Sequence, residues 1–452
     1  MSMSNKFPDN FIWGAATSSY QIEGASKIDG KGKSIWDTFS HTKGKVFKNQ
    51  NADIATDHYN RYKEDVALMN NIKLKAYRFS ISWPRIFPNG KGKFNKKGVD
   101  FYSKLLDELL KKNIKPFITL YHWDLPQKIQ NSGGWSNREI TKYFSDYSYL
   151  IAKKFGDRCK NFITLNEPAV FSTFGYLDGY MAPGLKNKKK YLSCIHNINL
   201  AHGFAFKSIK SVSSNIKVGC TLNMAPCLAF SNDSKDINAK ITYDTFWNRA
   251  YADPMYLGSY PKIIEKKIQN LIKKNDMKII KQKNDFIGLN HYQHIRVISD
   301  KKNLLGARSV SLKELSKKIN INKNLTTMNW EIVPDAYYRQ IMELKNRYNN
   351  PNIHLTENGC SFSDNVNNNG KILDVKRINF LKKYLKAVHK AIKNGAKIKS
   401  YFVWSFLDNF EWALGYGKRF GIVHVDFKTL KRIPKKSYYF FGELIKKNSI
   451  PN

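Results

Sequence analysis

Along most of the chain, short apolar runs alternate with longer stretches in which apolar positions recur every three or four residues. The short runs are β-prone and cover residues 11–21, 75–83, 115–124, 162–167, 216–224, 285–292, 352–357 and 398–406. The longer stretches each carry a stripe, such as Leu105, Leu106 and Leu109, or Ile378, Leu381, Leu385 and Val388. A stripe at that spacing is one face of an amphipathic helix, whereas the short runs fit buried strands. Eight strand–helix alternations in 452 residues predict a single (β/α)8 barrel domain over residues 1–452, with long insertions in its loops. A doubly wound open sheet is the alternative, and it lacks the GxGxxG turn that would follow an early strand. No short repeat and no linker breaks the pattern, and the Asn-rich tract 365–370 is only loop-sized.

Composition adds bounds. Hydrophobic residues make up 42% and aromatic residues 14%, ample for a large core. No apolar stretch approaches the ~18–20 residues of a membrane span, and residues 1–8 hold no apolar signal core, so neither membrane insertion nor secretion is expected. The five cysteines, Cys159, Cys194, Cys220, Cys227 and Cys360, include no CxxC pair. That argues against a disulfide framework or zinc site and for a reducing, cytoplasmic setting. No metal and no cofactor is expected, and nothing in the sequence sets an oligomeric state. The net charge of +40 is the oddest bulk property. It would suit nucleic acid or another polyanion. The lysines, however, are spread along helix faces, as in 262–274, and through loops such as 186–190. The charge is therefore read as a solvated surface, with no specific nucleic-acid partner.

A barrel brings the C-terminal ends of all eight strands to one rim, where function resides. Here those ends carry Gln21, Arg78, His122-Trp123, Asn166-Glu167, Asn223, Asn290 with Tyr292, Glu357 and Trp404. Two of these are glutamates, in Thr164-Leu165-Asn166-Glu167-Pro168 and Thr356-Glu357-Asn358-Gly359. Two carboxyl groups about 5–5.5 Å apart are what a retaining glycosidase needs, one protonated to serve the leaving oxygen and one ionised to attack. Like charges that close do not both ionise cheaply, so one pKa rises. Arg78 suits the ionised partner, with Tyr292 as a hydrogen-bond donor. Gln21, His122, Asn166 and Glu411 are residue types that grip sugar hydroxyls, and Trp123, Trp404 and Trp412 offer aromatic faces to sugar C–H patches. Trp330 and Phe420 are further aromatic candidates. His122 closes an apolar run in Tyr121-His122-Trp123-Asp124, unlike His196, His202, His389 and His424, which are read as structural.

The chain resembles glycoside hydrolase family 1, the β-glucosidase family, from about residue 6 to 445. The resemblance rests on segments 11–24 (FIWGAATSSYQIEG), 77–86 (YRFSISWPRI), 121–126 (YHWDLP), 164–168 (TLNEP), 356–359 (TENG) and 404–412 (WSFLDNFEW). It implies a (β/α)8 barrel and retaining hydrolysis of small-molecule β-glycosides or oligosaccharides, terminal glucose first, with galactose or fucose as further glycones. It implies Glu167 as acid/base and Glu357 as nucleophile, with Arg78 and Tyr292 beside the nucleophile and Asn290 in the same catalytic set. It places Asn166 on the sugar 2-hydroxyl, Gln21, His122, Glu411 and Trp412 on the other hydroxyls, and Trp404 beneath the ring. Three features depart from the common family pattern: His291 in Asn290-His291-Tyr292, Met181 where His is common near the leaving group, and the lysine-rich segment 297–328, expected to overhang the aglycone entrance. A 6-phospho-β-glycosidase would suit a basic protein, but Glu411-Trp412 would clash with and repel a 6-phosphate. A myrosinase-like enzyme would carry Gln in place of Glu167. An inactive barrel reused to bind carbohydrate or polyanion would commonly have lost one carboxylate, and both are present.

Overall fold

Eight parallel strands form a closed barrel in which each strand neighbours the next in sequence and the last returns to the first. They are β1 (Ile12–Ala16), β2 (Ala76–Ser80), β3 (Lys115–Tyr121), β4 (Asn161–Asn166), β5 (Lys217–Asn223), β6 (Phe286–Asn290), β7 (Ile353–Asn358) and β8 (Ile398–Trp404). Closure runs through Ile12 opposite Ser400 to Ala16 opposite Trp404. The computed structural model describes residues 6–303, 305–316 and 324–451. Each of the eight predicted runs coincides with one barrel strand, with Asn161 and Asn358 falling just outside theirs, so the alternation in the sequence is the alternation of the fold.

Several runs extend beyond their strands, and the excess is informative. In run 11–21 the strand stops at Ala16. The Ser19 N–H is captured by Ser80 Oγ at 2.7 Å, and the chain turns into the short helix Ser19–Ile22, so Gln21 is a helix residue and not a strand end. In run 75–83, Trp83 opens the helix Trp83–Ile86, with Pro84 at a position where a missing N–H costs nothing. Residues 122–124, Tyr292 and 405–406 likewise lie past their strands. These stretches look β-prone because rim positions also use aromatic residues, although there they serve the site and not the ladder. Segment 297–328 is built as well: Ile295–Ser299 pairs with Ala307–Ser309 and with Cys227–Ala229 in a small sheet outside the barrel. Residue 304 and residues 317–323 of that segment lie outside the described residues.

The apolar core lies mostly between the strands and the surrounding helices. The helix Lys96–Lys111 buries Val99, Tyr102, Leu105, Leu106 and Leu109 at helical spacing. The helix Val375–Lys393 buries Ile378, Leu381, Leu385 and Val388. Truncating one such leucine to alanine is expected to cost about 2–5 kcal/mol. Inside the barrel the floor is aromatic: Phe117 packs against Phe402 at 5.0 Å and His354 at 5.4 Å, and His354 against Phe286 at 4.7 Å. This plug fills the lower barrel, so a ligand has room only above it, at the C-terminal ends of the strands. Among the described residues no helix is long and apolar enough to cross a membrane.

Candidate active site

A cavity of about 480 Å³ opens at the C-terminal rim. Glu167, Glu357 and Glu411 line it, together with His122 and six aromatic residues expected from the sequence, Trp123, Tyr292, Trp330, Trp404, Trp412 and Phe420. Arg78, Asn166, Asn290 and Gln21 do not line it. All four are fully buried and sit one layer behind, bonded to residues that do. The structure thus gathers all fourteen candidates at one place.

The two catalytic candidates differ in their partners. Glu357 ends β7, and Gly359 allows its strand end to lie against β8, since a Cβ there would fall 1.8 Å from the Trp404 carbonyl oxygen. Its Oε1 accepts from Arg78 Nη1 at 2.5 Å and its Oε2 from the Tyr292 hydroxyl at 2.7 Å. Glu167 follows β4 with φ 52°, a conformation that L-residues rarely adopt. Trp123 (φ 77°) and Trp412 (φ 51°) share it, and such strain gathers at functional sites. Glu167 Oε1 accepts from Asn290 Nδ2 at 2.6 Å and from Asn223 Nδ2 at 3.0 Å, both neutral amides. Thr356 Oγ1 donates to Asn290 Oδ1 at 2.7 Å, which turns the Asn290 amide nitrogen toward Glu167.

The electrostatics follow from those partners. Burial raises both carboxyl pKa values. For Glu167 the nearby charge of Glu357 adds to burial and carries the pKa up to about 8, with the Asn223 and Asn290 amides opposing only in part. For Glu357 the Arg78 guanidinium and the Tyr292 hydroxyl work against burial, so this is the carboxyl that ionises first. Glu411 is also pushed up to about 8, by burial and then by the charges of Glu357 and Glu167, and Gln21 Nε2 lies 3.5 Å from its Oε2.

The second layer is tied to the first. Arg78 Nη2 and Asn290 Nδ2 both donate to Asn166 Oδ1, at 2.6 and 3.1 Å. Asn166 Nδ2 therefore faces His122 Nε2, 3.0 Å away, which must accept, leaving the imidazole proton on Nδ1. Burial, with Arg78 nearby, holds the His122 pKa well below its usual value, so the ring is neutral. The His122 ring lies nearly parallel to Trp404 and to Trp412, at 5.8 and 5.9 Å. The Trp123 indole N–H is committed to the Asn166 carbonyl at 2.9 Å, so Trp123 offers a face and no donor. Gln21 Nε2 donates to Asn409 Oδ1 and to the Phe410 carbonyl, both at 2.9 Å, which binds the first βα loop to the loop carrying Glu411. That loop is anchored by buried charges: Lys435 bonds Asp408 at 2.8 Å and also Asp364, which pairs with Arg377.

Some lining residues have no counterpart among the sequence candidates: Phe174, Tyr180, Tyr243 and Trp247, with Met181 beside them. The signal, had it been read, was the cluster of aromatic residues in two stretches that form π-helical turns, Thr173–Leu177 and Thr245–Arg249. Such turns are rare and often sit at functional sites. Ser309, Thr327 and Met328 also line the cavity, so segment 297–328 reaches the entrance as expected. His291 points away from the cavity, and its Nδ1–H donates to the Met224 carbonyl at 2.9 Å.

Comparison with known proteins agrees with this geometry. Residues 3–450 match the family model described as Glycosyl hydrolase family 1. "Beta-glucosidase A" of Acetivibrio thermocellus is 46% identical over 448 residues, covering 98% of each chain. "1,4-beta-D-glucan glucohydrolase" of Thermotoga neapolitana is 45% identical over 449 residues, covering 98% of this chain and 99% of its own. A solved structure, "Beta-glucosidase from Thermotoga maritima in complex with glucoimidazole", superposes with a TM-score of 0.92 at 44% identity, covering 98% of this chain and 100% of that one. The chain belongs to glycosyl hydrolase family 1.

Proposed function

We propose that the chain, acting as one domain over residues 1–452, is a retaining β-glucosidase that removes terminal β-linked glucose by double displacement. Glu357 attacks the anomeric carbon and forms a glycosyl ester while Glu167 gives its proton to the leaving oxygen; Glu167 then takes a proton from the water that cleaves the ester. The observation that carries this is the unequal pairing of the two carboxyls. Glu357 faces a guanidinium and a phenol, whereas Glu167 faces two amides. One is thereby suited to ionise and attack, the other to keep its proton. His122, Glu411 and Trp412 hold the sugar hydroxyls from the cavity wall, with Asn166 and Gln21 fixing His122 and the Glu411 loop from the layer behind, and Trp404, Trp123, Trp330 and Phe420 shape the site around the ring. Galactose and fucose, which differ from glucose at O4 and O6, are further glycones.

An unphosphorylated glycone fits better than a 6-phosphate. Glu411 lines the cavity, and the one lysine lining it among the described residues, Lys418, donates to the Thr327 carbonyl at 2.5 Å. A cytoplasmic setting is supported by the five cysteines, all buried and unpaired. The +40 charge is a surface property in this reading, without a specific nucleic-acid partner. Proton NMR of the sugar released first from a β-glucoside tests the mechanism. The β-anomer is expected, and the α-anomer appearing first would overturn retention.

A further inference from the structure

The loop that carries Glu411 is held from behind by a cation that does not line the cavity. Asp408 stands three residues before Glu411 and is fully buried. Its Oδ1 accepts from Lys435 Nζ at 2.8 Å and from the Gly421 N–H at 2.9 Å, and its Oδ2 from Arg419 Nη1 at 2.7 Å. Lys435 is fully buried too, and its ammonium also bonds Asp364, seven residues past Glu357. Arg377 bonds the same Asp364 at 2.5 Å and also the Cys360 carbonyl, three residues past Glu357. One ammonium therefore joins the loop after β7, which starts beside the proposed nucleophile, to the loop after β8, which leads to Glu411. From the other side Gln21 donates to Asn409 and Phe410. Residues 408–410 are thus gripped from two directions, and Glu411 follows directly.

Among the described residues the cluster sets three cations, Arg377, Lys435 and Arg419, against three carboxylates, Asp364, Asp374 and Asp408, with His424 Nδ1 3.4 Å from Asp408. Buried ion pairs are a poor source of stability, since apolar side chains of similar volume often serve as well. What apolar packing does not supply is direction. An ammonium shared by two aspartates fixes the spacing of the loops that carry them. Without Lys435, Asp408 keeps Arg419 and Gly421, so its loop stays attached to the fold. The two aspartates would then face each other with one cation fewer, and repulsion would move their loops apart. Hydrogen bonds weaken steeply with displacement and misalignment. A shift of this loop would therefore be felt first by the sugar hydroxyl that Glu411 holds.

We propose that Lys435 is a positioning residue that places Glu411 against the glycone and so sets the preference for a sugar with a C6 hydroxyl over one without it. The proposal rests on the reading above that Glu411 holds a glycone hydroxyl, here taken as the one on C6. The test is the ratio of kcat/KM for 4-nitrophenyl β-glucoside to that for 4-nitrophenyl β-xyloside. Xylose lacks the C6 hydroxymethyl group, and the leaving group is the same. Lys435→Met is expected to lower the ratio by about tenfold, the scale of one hydrogen bond. A merely structural loss would lower both values together and leave the ratio alone. Glu411→Ala is expected to lower the ratio to a similar extent, and adding Lys435→Met to it should change the ratio no further. Arg419→Gln, at a half-buried position, takes the second cation from Asp408 and is expected to lower the same ratio; it decides alone if Lys435→Met does not fold. A ratio unmoved in the deciding variant, or lowered by Lys435→Met equally with and without Glu411, would overturn the proposal. A ratio unmoved in Glu411→Ala would instead overturn the reading of Glu411, and this one with it.

Discussion

Arg78 and Glu357 meet at 2.5 Å with their side chains 0% and 4% exposed, so the proposed nucleophile is paired with a cation that water does not screen. The same guanidinium reaches Asn166 at 2.6 Å and the Thr356 carbonyl at 3.2 Å. One arginine thus pairs with the proposed nucleophile and orients the Asn166 amide.

Removing that cation by Arg78→Met is expected to raise the pKa of Glu357 further, because only the hydrogen bonds from Tyr292 and Asn290 would then oppose burial. The acidic limb of the kcat/KM profile should move to higher pH, and kcat/KM should fall by roughly 10²–10³, as breaking a buried pair costs about 3–5 kcal/mol. Arg78→Met with an unmoved acidic limb would show that Glu357 does not depend on it.

Glu167, with its pKa near 8, should define the basic limb. Activity on substrates with poor leaving groups is expected to decline as pH rises through about 8, when the proton is lost. Glu167→Gln should slow glycosylation by about 10²–10⁴ with alkyl glucosides and far less with activated aryl glucosides, which need no proton. Single-turnover rates on both classes check this; equal losses would remove Glu167 from the acid role.

Stability should carry the same signature. An acid whose folded-state pKa lies above its unfolded one holds its proton more tightly when folded. The stabilisation is therefore fully present below about 4.5 and is lost as pH rises through about 8, for Glu167 and Glu411 alike. Tm is expected to fall over that window in the wild type and to fall less in Glu167→Gln and Glu411→Gln. Thermal scans across the window decide it, and parallel curves for all three proteins would contradict the assignment.

Much of this site was legible in the sequence because a barrel sends its strand ends to one rim. Asn166, Asn290 and Glu357 needed only the strand periodicity and that rule, whereas Arg78 lies in the middle of β2 and not at its end. Gln21 was expected at a strand end and lies on a helix: Ser80 draws the chain out of the sheet before Gln21 is reached, and no local pattern announces a bond to a residue so far along the chain. Phe174, Tyr180, Tyr243 and Trp247 were missed because aromatic residues away from the strand ends read as packing until the turns that hold Phe174 and Trp247 are seen side by side, with Tyr180 and Tyr243 next to them. The buried charges Asp364, Arg377, Asp408 and Lys435 were equally hidden, since each finds its partners across the fold.

Glu411 should disfavour a phosphate on O6, because a dianion there adds like charge to a buried site whose carboxyl groups already hold their protons too tightly. β-Glucosides are expected to exceed their 6-phosphates in kcat/KM by about 10² or more at physiological salt, where charges beyond roughly 8 Å are screened and the surface lysines contribute little. A higher value for the phosphate would mean that Glu411 and Trp412 are wrongly assigned.

The central claim is that Glu357 is the nucleophile and Glu167 the acid/base, and the product formed by Glu357→Ala in azide tests it most directly. On an activated aryl β-glucoside the variant alone is expected to be inactive, and azide should restore turnover by entering the space of the lost carboxylate, giving the α-glucosyl azide. Normal activity without azide, or a β-glucosyl azide from this variant, would contradict the account.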